Sequence, residues 1–252
     1  LVRTDISEFY ESIDRERLYA KLDQDQLLSS SSKRFIRQIF TSYKTLSGSS
    51  KGIPRGVGIS AYLAELFLRP VDRAIGNLPG IVIYCRYVDD IVAIFARPPA
   101  GGDSGSYKER VLKILNESQL SHNPAKTDEY DFGDNGGEKS FEYIGDNFTP
   151  TLRTLHIAPS DAKIERLKKR LEAAFLDYRR AAPTRQRQAF REIVARVKFL
   201  TGNTRLKNSK SSSATGIYYN SPLVNDLRKY EALDTVLKKE ILAIKRPALR
   251  KS

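Results

Sequence analysis

Three carboxylates stand at the ends of apolar, strand-like runs. Asp5 closes the run that begins at Leu1, and Asp89 and Asp90 lie between Ile81–Tyr87 and Ile91–Phe95. Carboxylates brought together from two separate strands can hold two Mg²⁺ ions, which take oxygen ligands and keep part of their water shell. Such a pair supports in-line nucleotidyl transfer: one ion activates an attacking hydroxyl, and the other stabilises a triphosphate and its leaving group. The Ile6 backbone carbonyl is a further candidate ligand, and Mn²⁺ is expected to be able to replace Mg²⁺. Taken singly, Asp89-Asp90 reads as an acidic turn and Asp5 as a capping carboxylate. Neither reading explains why both follow apolar runs with the glycine-framed stretch Gly52-Ile-Pro-Arg-Gly56 between them.

The elements that must carry these groups are legible from periodicity. A short strand ends at Asp5, and a helix follows Asp14, a suitable N-cap. Phe35, Ile36, Ile39, Phe40, Tyr43 and Leu46 recur at helical spacing over Ser31–Leu46. A long helix follows Ser60, with Pro70 as an expected kink. Ile81–Tyr87 and Ile91–Phe95 form a hairpin with an acidic tip. Pro98–Ser106 reads as a surface loop, Tyr107–Leu120 as a helix, and Asp134-Asn-Gly-Gly137 as a turn. Short strands are expected around Thr127–Phe132, Phe141–Ile144 and Leu152–Ile157. Helices follow over Ser160–Ala181, Thr184–Leu200 and Pro222–Ile244, with a basic, Ser-rich loop at Arg205–Ser213.

Composition narrows the class. A 252-residue chain that is 40% hydrophobic and 29% charged can bury a substantial core. No apolar run approaches the roughly 20 residues of a membrane span, and no membrane partner is expected. Cys85 is the single cysteine, which excludes an intrachain disulfide, and only two histidines accompany it. With no signal peptide at the start, these features are read as a reducing, cytoplasmic setting. The charge is unevenly divided. Residues 1–155 carry 20 Lys/Arg against 21 Asp/Glu, whereas residues 156–252 carry 23 against 9, a net +14. A basic block of that size reads either as a solvated helical surface or as an electrostatic track for a phosphate backbone.

The motifs together resemble those of reverse transcriptases. Asp5-Ile-Ser-Glu-Phe-Tyr10 resembles the family's first palm motif, Gly52–Gly56 with Ser60 the second, and Tyr87-Val-Asp-Asp90 the signature hairpin. Asn123-Pro-Ala-Lys126-Thr127 is similar to the fourth motif and Phe141-Glu-Tyr-Ile-Gly145 to the fifth. The resemblance implies an α+β fold: a palm over residues 1–157, an antiparallel sheet backed by helices, then a basic, all-helical thumb over 158–252. It implies Asp5, Asp89 and Asp90 as catalytic, metal-holding carboxylates with Ile6. Tyr10 matches the aromatic that excludes a ribose 2′-hydroxyl, unless it is a core aromatic. Arg55, Gly56 and Lys126 would contact the nucleotide, Lys126 as a general acid or else as a solvated lysine. Tyr143, Ile144 and Gly145 would grip the primer, or simply pack a hairpin. Phe9 is expected in the core.

The implied activity is RNA-directed DNA synthesis on a primer 3′-hydroxyl, with an RNA template, a DNA or RNA primer duplex and deoxynucleoside triphosphates as partners. Two departures stand out. Arg55 occupies a position where the family usually has Gln, and it could reach a phosphate or pair with an acid. Together with Glu65, Phe199–Leu206 and Gly216–Tyr219, it resembles bacterial defence and abortive-infection enzymes. A dedicated noncoding RNA or a partner defence protein is then a further expected partner. The second departure is the fingers region. Only four residues precede Asp5, so the fingers are expected from a longer protein of which this chain is a part, or from elsewhere. The alternatives are a retron or group II intron enzyme and, in another class, a non-catalytic palm that binds nucleic acid.

Overall fold

A computed structural model describes residues 1–26, 28–96, 106–132, 139–151, 153–202, 204–205, 214–217 and 221–248. The loop expected at 98–106 (except Ser106), the turn at 134–137 and the loop at 205–213 (except Arg205) lie outside the described residues. Contacts group the chain into two compact units, Leu1–Asp131 and Phe132–Ser252. This division precedes residue 157 because the sheet that follows residue 140 bonds to the helices after it, as described below.

In the first unit, β1 (Val2–Asp5), β2 (Ile81–Tyr87), β3 (Asp90–Phe95) and β4 (Asp128–Glu129) form an antiparallel sheet in the order β2-β3-β1-β4. The helices are α1 (Phe9–Ser12), α2 (Arg15–Asp25), α3 (Ser30–Ser47), α4 (Gly58–Gly76) and α5 (Tyr107–Glu117). β1 and β3 are central, and Val2, Ile91 and Ala93 are fully buried. Burying a valine or isoleucine side chain is worth about 1.5–3 kcal/mol. Helix α4 adds Leu63, Leu66, Leu68, Val71 and Ile75 to the same core, and α5 adds Val111 and Leu115. Phe9 is buried among them, as its sequence context implies.

The helix ends follow local chemistry. The Asp14 carboxylate accepts from the Arg17 N–H at 3.0 Å, the N-cap read from the sequence. Ser29 caps α3, and Gly48, at φ 68, closes it with an N–H bond to the Lys44 carbonyl. Pro70 lies inside α4, which runs on past it to Gly76.

In the second unit, β5 (Phe141–Tyr143), β6 (Asp146–Pro150) and β7 (Leu155–Pro159) form an antiparallel sheet in sequence order. β6 carries no alternating apolar pattern, with Phe148 flanked by Asn147 and Thr149, so periodicity does not mark it as a strand. Helix α6 (Asp161–Thr201) contains the two expected helices as arms joined at a break. Arg185 has non-helical φ/ψ (−142°, 56°), just after Pro183, which cannot donate a helical hydrogen bond. Asp177 and Arg196 pair across the bend. A two-residue ladder of β8 (Thr204–Arg205) and β9 (Ala214–Thr215) precedes helix α7 (Arg228–Ala248). The sheet is tied to α6 by Lys163, whose Nζ reaches Asp146 Oδ1 at 2.8 Å, and to the segment before α7 by Asn225, whose side chain accepts from the Ile157 N–H at 2.8 Å. Among the described residues, no helix is long and apolar enough to cross a membrane.

Candidate active site

Strand pairing brings the acidic residues together. Asp5 and Asp90 are direct partners across β1 and β3, and opposed residues of an antiparallel pair project to the same face. The ladder continues one step further, with the Ile6 N–H donating to the Asp89 carbonyl at 3.0 Å. Asp5, Ile6, Asp89 and Asp90 therefore form one cluster at the end of the two central strands. Asp5 is buried and Asp89 and Asp90 are half-buried.

Cations stand against two of these carboxylates. Lys126 Nζ lies 3.1 Å from Asp5 Oδ2, and Arg3 Nε lies 3.5 Å from Asp90 Oδ1. Lys126 is thus a paired lysine, which neither of its sequence readings specifies. It is delivered by a 3₁₀ turn, Pro124–Lys126, whose start is capped by Asn123 bonding to the Ala125 N–H at 3.1 Å. The turn is fixed to β1 by a buried hydroxyl pair, Thr4 to Thr127 at 2.8 Å, and by the Asn123 N–H to the Asp5 carbonyl at 2.8 Å. The motifs do not single out Arg3. The signal was present, because Arg3 is two residues before Asp5 and period-2 alternation puts both on one face.

The hairpin tip is held in a costly shape. Tyr87 pairs with Asp90, so Val88 and Asp89 form a two-residue loop, and Val88 has φ 58. Hairpins with a positive φ at the first loop position usually place glycine there. A β-branched residue in that region persists only where its surroundings enforce it.

The Gly52–Gly56 loop packs on the first motif. The Gly52 N–H donates to the Ile13 carbonyl at 2.7 Å and the Ile53 N–H to the Tyr10 carbonyl at 2.8 Å. Gly52 has φ 86, and a Cβ there would lie 3.0 Å from the Glu11 Cα and carbonyl oxygen. Only glycine permits this approach. Buried Arg15 donates to the Gly52 and Lys51 carbonyls and closes the loop from beneath.

Tyr10 is thereby placed beside the loop. It is half-buried, meets Phe9 edge to face at 5.6 Å, and has the Arg55 guanidinium 5.5 Å from its ring centre. Of the two readings of Arg55, pairing with an acid is the one observed. Nε and Nη2 grip Glu11 Oε1 and Oε2 at 2.6 and 2.8 Å. The hydrogen bonds that Arg55 donates to Glu11, with the Glu11 charge, hold the Arg55 pKa above its ordinary value, and the Asp89 charge adds to the effect. Gly56, at φ 77, completes the exposed end of the loop. The motifs do not single out Glu11 either, because its position one residue after Tyr10 carries no distinguishing pattern.

Tyr143, Ile144 and Gly145 belong to the second unit. Tyr143 pairs with Asp146, and the two loop residues Ile144 and Gly145 have φ 50 and 76. This is the type I′ pattern, which favours Asn-Gly. Ile144 fills the Asn position and is exposed.

The carboxylates and backbone carbonyls of this cluster are oxygen donors, the kind a hard divalent cation takes. Among the described residues no group of three or more His, Cys, Asp and Glu side chains is placed to hold a metal ion. Mg²⁺ does not need one, since it binds through one or two carboxylates and keeps water or substrate phosphate for the rest. The antiparallel bridge between Ile6 and His122 runs through the Asp5 carbonyl and the Ser7 N–H on either side of Ile6. The bridge therefore does not engage the Ile6 carbonyl.

An acidic strand end against an acidic hairpin, in an antiparallel sheet backed by helices, is the architecture of a polymerase palm. The family described as reverse transcriptase (RNA-dependent DNA polymerase) matches residues 1–148, and the chain belongs to it. No curated protein sequence matches the chain significantly. Membership makes the protein a nucleotidyltransferase of the reverse-transcriptase type. The family works on template and primer nucleic acids with deoxynucleoside triphosphates, and it generally uses Mg²⁺.

Proposed function

We propose that the chain extends a primer 3′-hydroxyl with deoxynucleotides on an RNA template, and that it does so in bacterial antiphage defence. The observation that carries the catalytic part is the direct pairing of Asp5 with Asp90, with Asp89 in the adjoining turn. These carboxylates and the Ile6 carbonyl would hold two Mg²⁺ ions. The ions, when bound, supply the Lewis acidity that activates the hydroxyl and offsets the triphosphate charge. Rigid strand ends orient the carboxylates. Tyr10, set by the Gly52–Ile53 loop, fills the space of a ribose 2′-hydroxyl. Lys126 supplies a proton to the departing pyrophosphate.

The C-terminal charge supports duplex binding. Arg166, Lys169, Arg170 and Arg196 line one groove of the second unit together with Phe199, a combination suited to a phosphate backbone. The defence assignment rests on the resemblance carried by Arg55, Glu65 and the Phe199–Leu206 stretch. A dedicated noncoding RNA or a defence protein is the corresponding partner.

The test is primer extension with Mg²⁺ by the full-length natural protein, with deoxy- or ribonucleotides and with or without RNA template. Template-dependent DNA product that disappears in Asp89→Asn is expected. Unchanged activity in Asp89→Asn would overturn the catalytic assignment. Tight duplex binding without incorporation under any condition would favour a non-catalytic palm.

A further inference from the structure

Arg86, next to Tyr87 in β2, uses every N–H of its guanidinium. Nε donates to Asp72 Oδ1 at 2.7 Å. Nη2 donates to Asp72 Oδ2 and to Glu65 Oε2, each at 2.8 Å. Nη1 donates to Glu65 Oε1 at 3.0 Å and to the Val88 carbonyl at 2.9 Å. An arginine has five such donors, and all five are engaged. The side chain is only 7% exposed. Its partners come from one stripe of α4, since Glu65 and Asp72 are seven residues apart, two helical turns. Tyr84, two residues earlier on the same face of β2, also donates to Asp72, at 2.6 Å.

Four of the five bonds anchor the guanidinium to α4. The fifth lands on the residue whose backbone is strained, Val88 at φ 58, in the loop that presents Asp89 and starts Asp90. We infer that Arg86 is a positioning residue: it clamps the Val88 carbonyl from α4 and so enforces the turn that aims Asp89 and Asp90. The inference rests on the reading of these aspartates as the reactive carboxylates. Because its donors are spent, Arg86 itself has no role toward phosphate. A lysine could keep the charge but not this set of bonds, because a point-like ammonium with three donors cannot hold two carboxylates by matched pairs and a carbonyl as well.

A simple staple between β2 and α4 would affect stability alone, whereas a turn clamp acts on turnover. The first measurement is Asp89→Asn in primer extension; activity there would overturn the catalytic reading itself, whatever Arg86 does. With that control inactive, kcat, the deoxynucleotide KM, duplex Kd and the Mg²⁺ dependence are measured for Arg86→Lys and Glu65→Gln. All are measured at a temperature where circular dichroism shows each variant folded. Supporting partners of metal ligands typically contribute 10–100-fold, so a kcat loss of roughly that size is expected in Arg86→Lys, with KM and Kd within about twofold. More Mg²⁺ should be needed for half-maximal rate. Adding Val88→Gly should recover roughly tenfold of the loss, because glycine adopts the turn without enforcement. If Arg86→Lys does not fold, Glu65→Gln, which leaves the Asp72 anchor, decides. Wild-type kcat and Mg²⁺ dependence in the folded variants, or no recovery on adding Val88→Gly, would overturn the inference.

Discussion

Arg55 and Glu11 hold each other through two parallel hydrogen bonds, 2.6 and 2.8 Å long, directly beside the Tyr10 ring. The pair links the loop of the second motif to the helix of the first. Both side chains are well exposed, so the pair itself adds little stability, at most about 1 kcal/mol. Its effect is geometric: it sets which face of Tyr10 is covered and places a cation within electrostatic range of Asp89.

On the proposed reading of Tyr10 as the aromatic that excludes a ribose 2′-hydroxyl, Tyr10→Ala should open that space. Excluding one small group sterically is worth about 1–3 kcal/mol, so the ratio of kcat/KM for deoxy- over ribonucleotides should fall roughly 10–100-fold. Arg55→Gln should shift the same ratio less and leave stability within about 1 kcal/mol. Single-nucleotide incorporation kinetics provide the comparison. An unchanged ratio in Tyr10→Ala would remove Tyr10 from sugar selection.

Gly52 and Gly56 offer a controlled comparison. Both have positive φ, but a Cβ at Gly52 meets the Glu11 backbone at 3.0 Å, whereas one at Gly56 meets nothing within 4 Å. Gly56→Ala should cost only the left-handed conformation, about 1–2 kcal/mol. Gly52→Ala adds a clash with backbone atoms that cannot rotate away, for a total of roughly 2–4 kcal/mol. Denaturant unfolding of both variants tests this. Equal losses would mean that the approach of loop and helix is not tight in solution.

Tyr84 predicts a pH dependence. Burial first, then the hydrogen bond to Asp72 and its charge, push the phenol well above the ordinary tyrosine value. A proton held more tightly in the folded than in the unfolded chain gives stability that is complete below about pH 10, the unfolded value. That contribution is lost as pH rises from there toward the folded value. Tyr84→Phe should cost about 1.5–3 kcal/mol at neutral pH, the range for a hydrogen bond to a charged group. The gap between wild type and variant should shrink above pH 10, as read from melting curves across that range. A gap that stays constant to pH 11.5 would mean that the phenol is not held neutral.

The sequence exposed the site's carboxylates far better than their supports. Asp5, Asp89 and Asp90 stand out because acidic residues interrupt apolar runs at element ends, and their pairing follows once those runs are strands of one sheet. The helices α2 to α5 were marked by periodicity and by the Asp14 cap. The partners of Arg86 were not legible, since they lie 14 and 21 residues away and become neighbours only when β2 packs on α4. The fate of Arg55 was open because both a phosphate and an acid suit its fork. The β6 strand lacked a pattern because its neighbours β5 and β7, rather than its own side chains, define it. Backbone strain at Val88 and Ile144 had no signature, because nothing in a Val or Ile announces positive φ. The strain is visible only once Tyr87–Asp90 and Tyr143–Asp146 are known to be closing pairs.

Ile144 converts that last point into a measurement. It occupies the first position of a type I′ turn, is exposed, and gains little from burial. On stability alone Asn belongs there. Ile144→Asn should therefore stabilise the protein by roughly 1 kcal/mol, the lower end of the cost of such strain, as measured by chemical denaturation. A residue that is both strained and exposed has a reason to persist if its side chain meets something outside the chain, and if Tyr143–Gly145 grip the primer, as the resemblance implies, that partner is the primer. The same variant should then bind primer duplex more weakly and dissociate sooner during extension. Gain of stability with unchanged primer affinity would reduce Tyr143–Gly145 to a hairpin turn. Loss of stability would show instead that the Ile144 side chain is packed in solution.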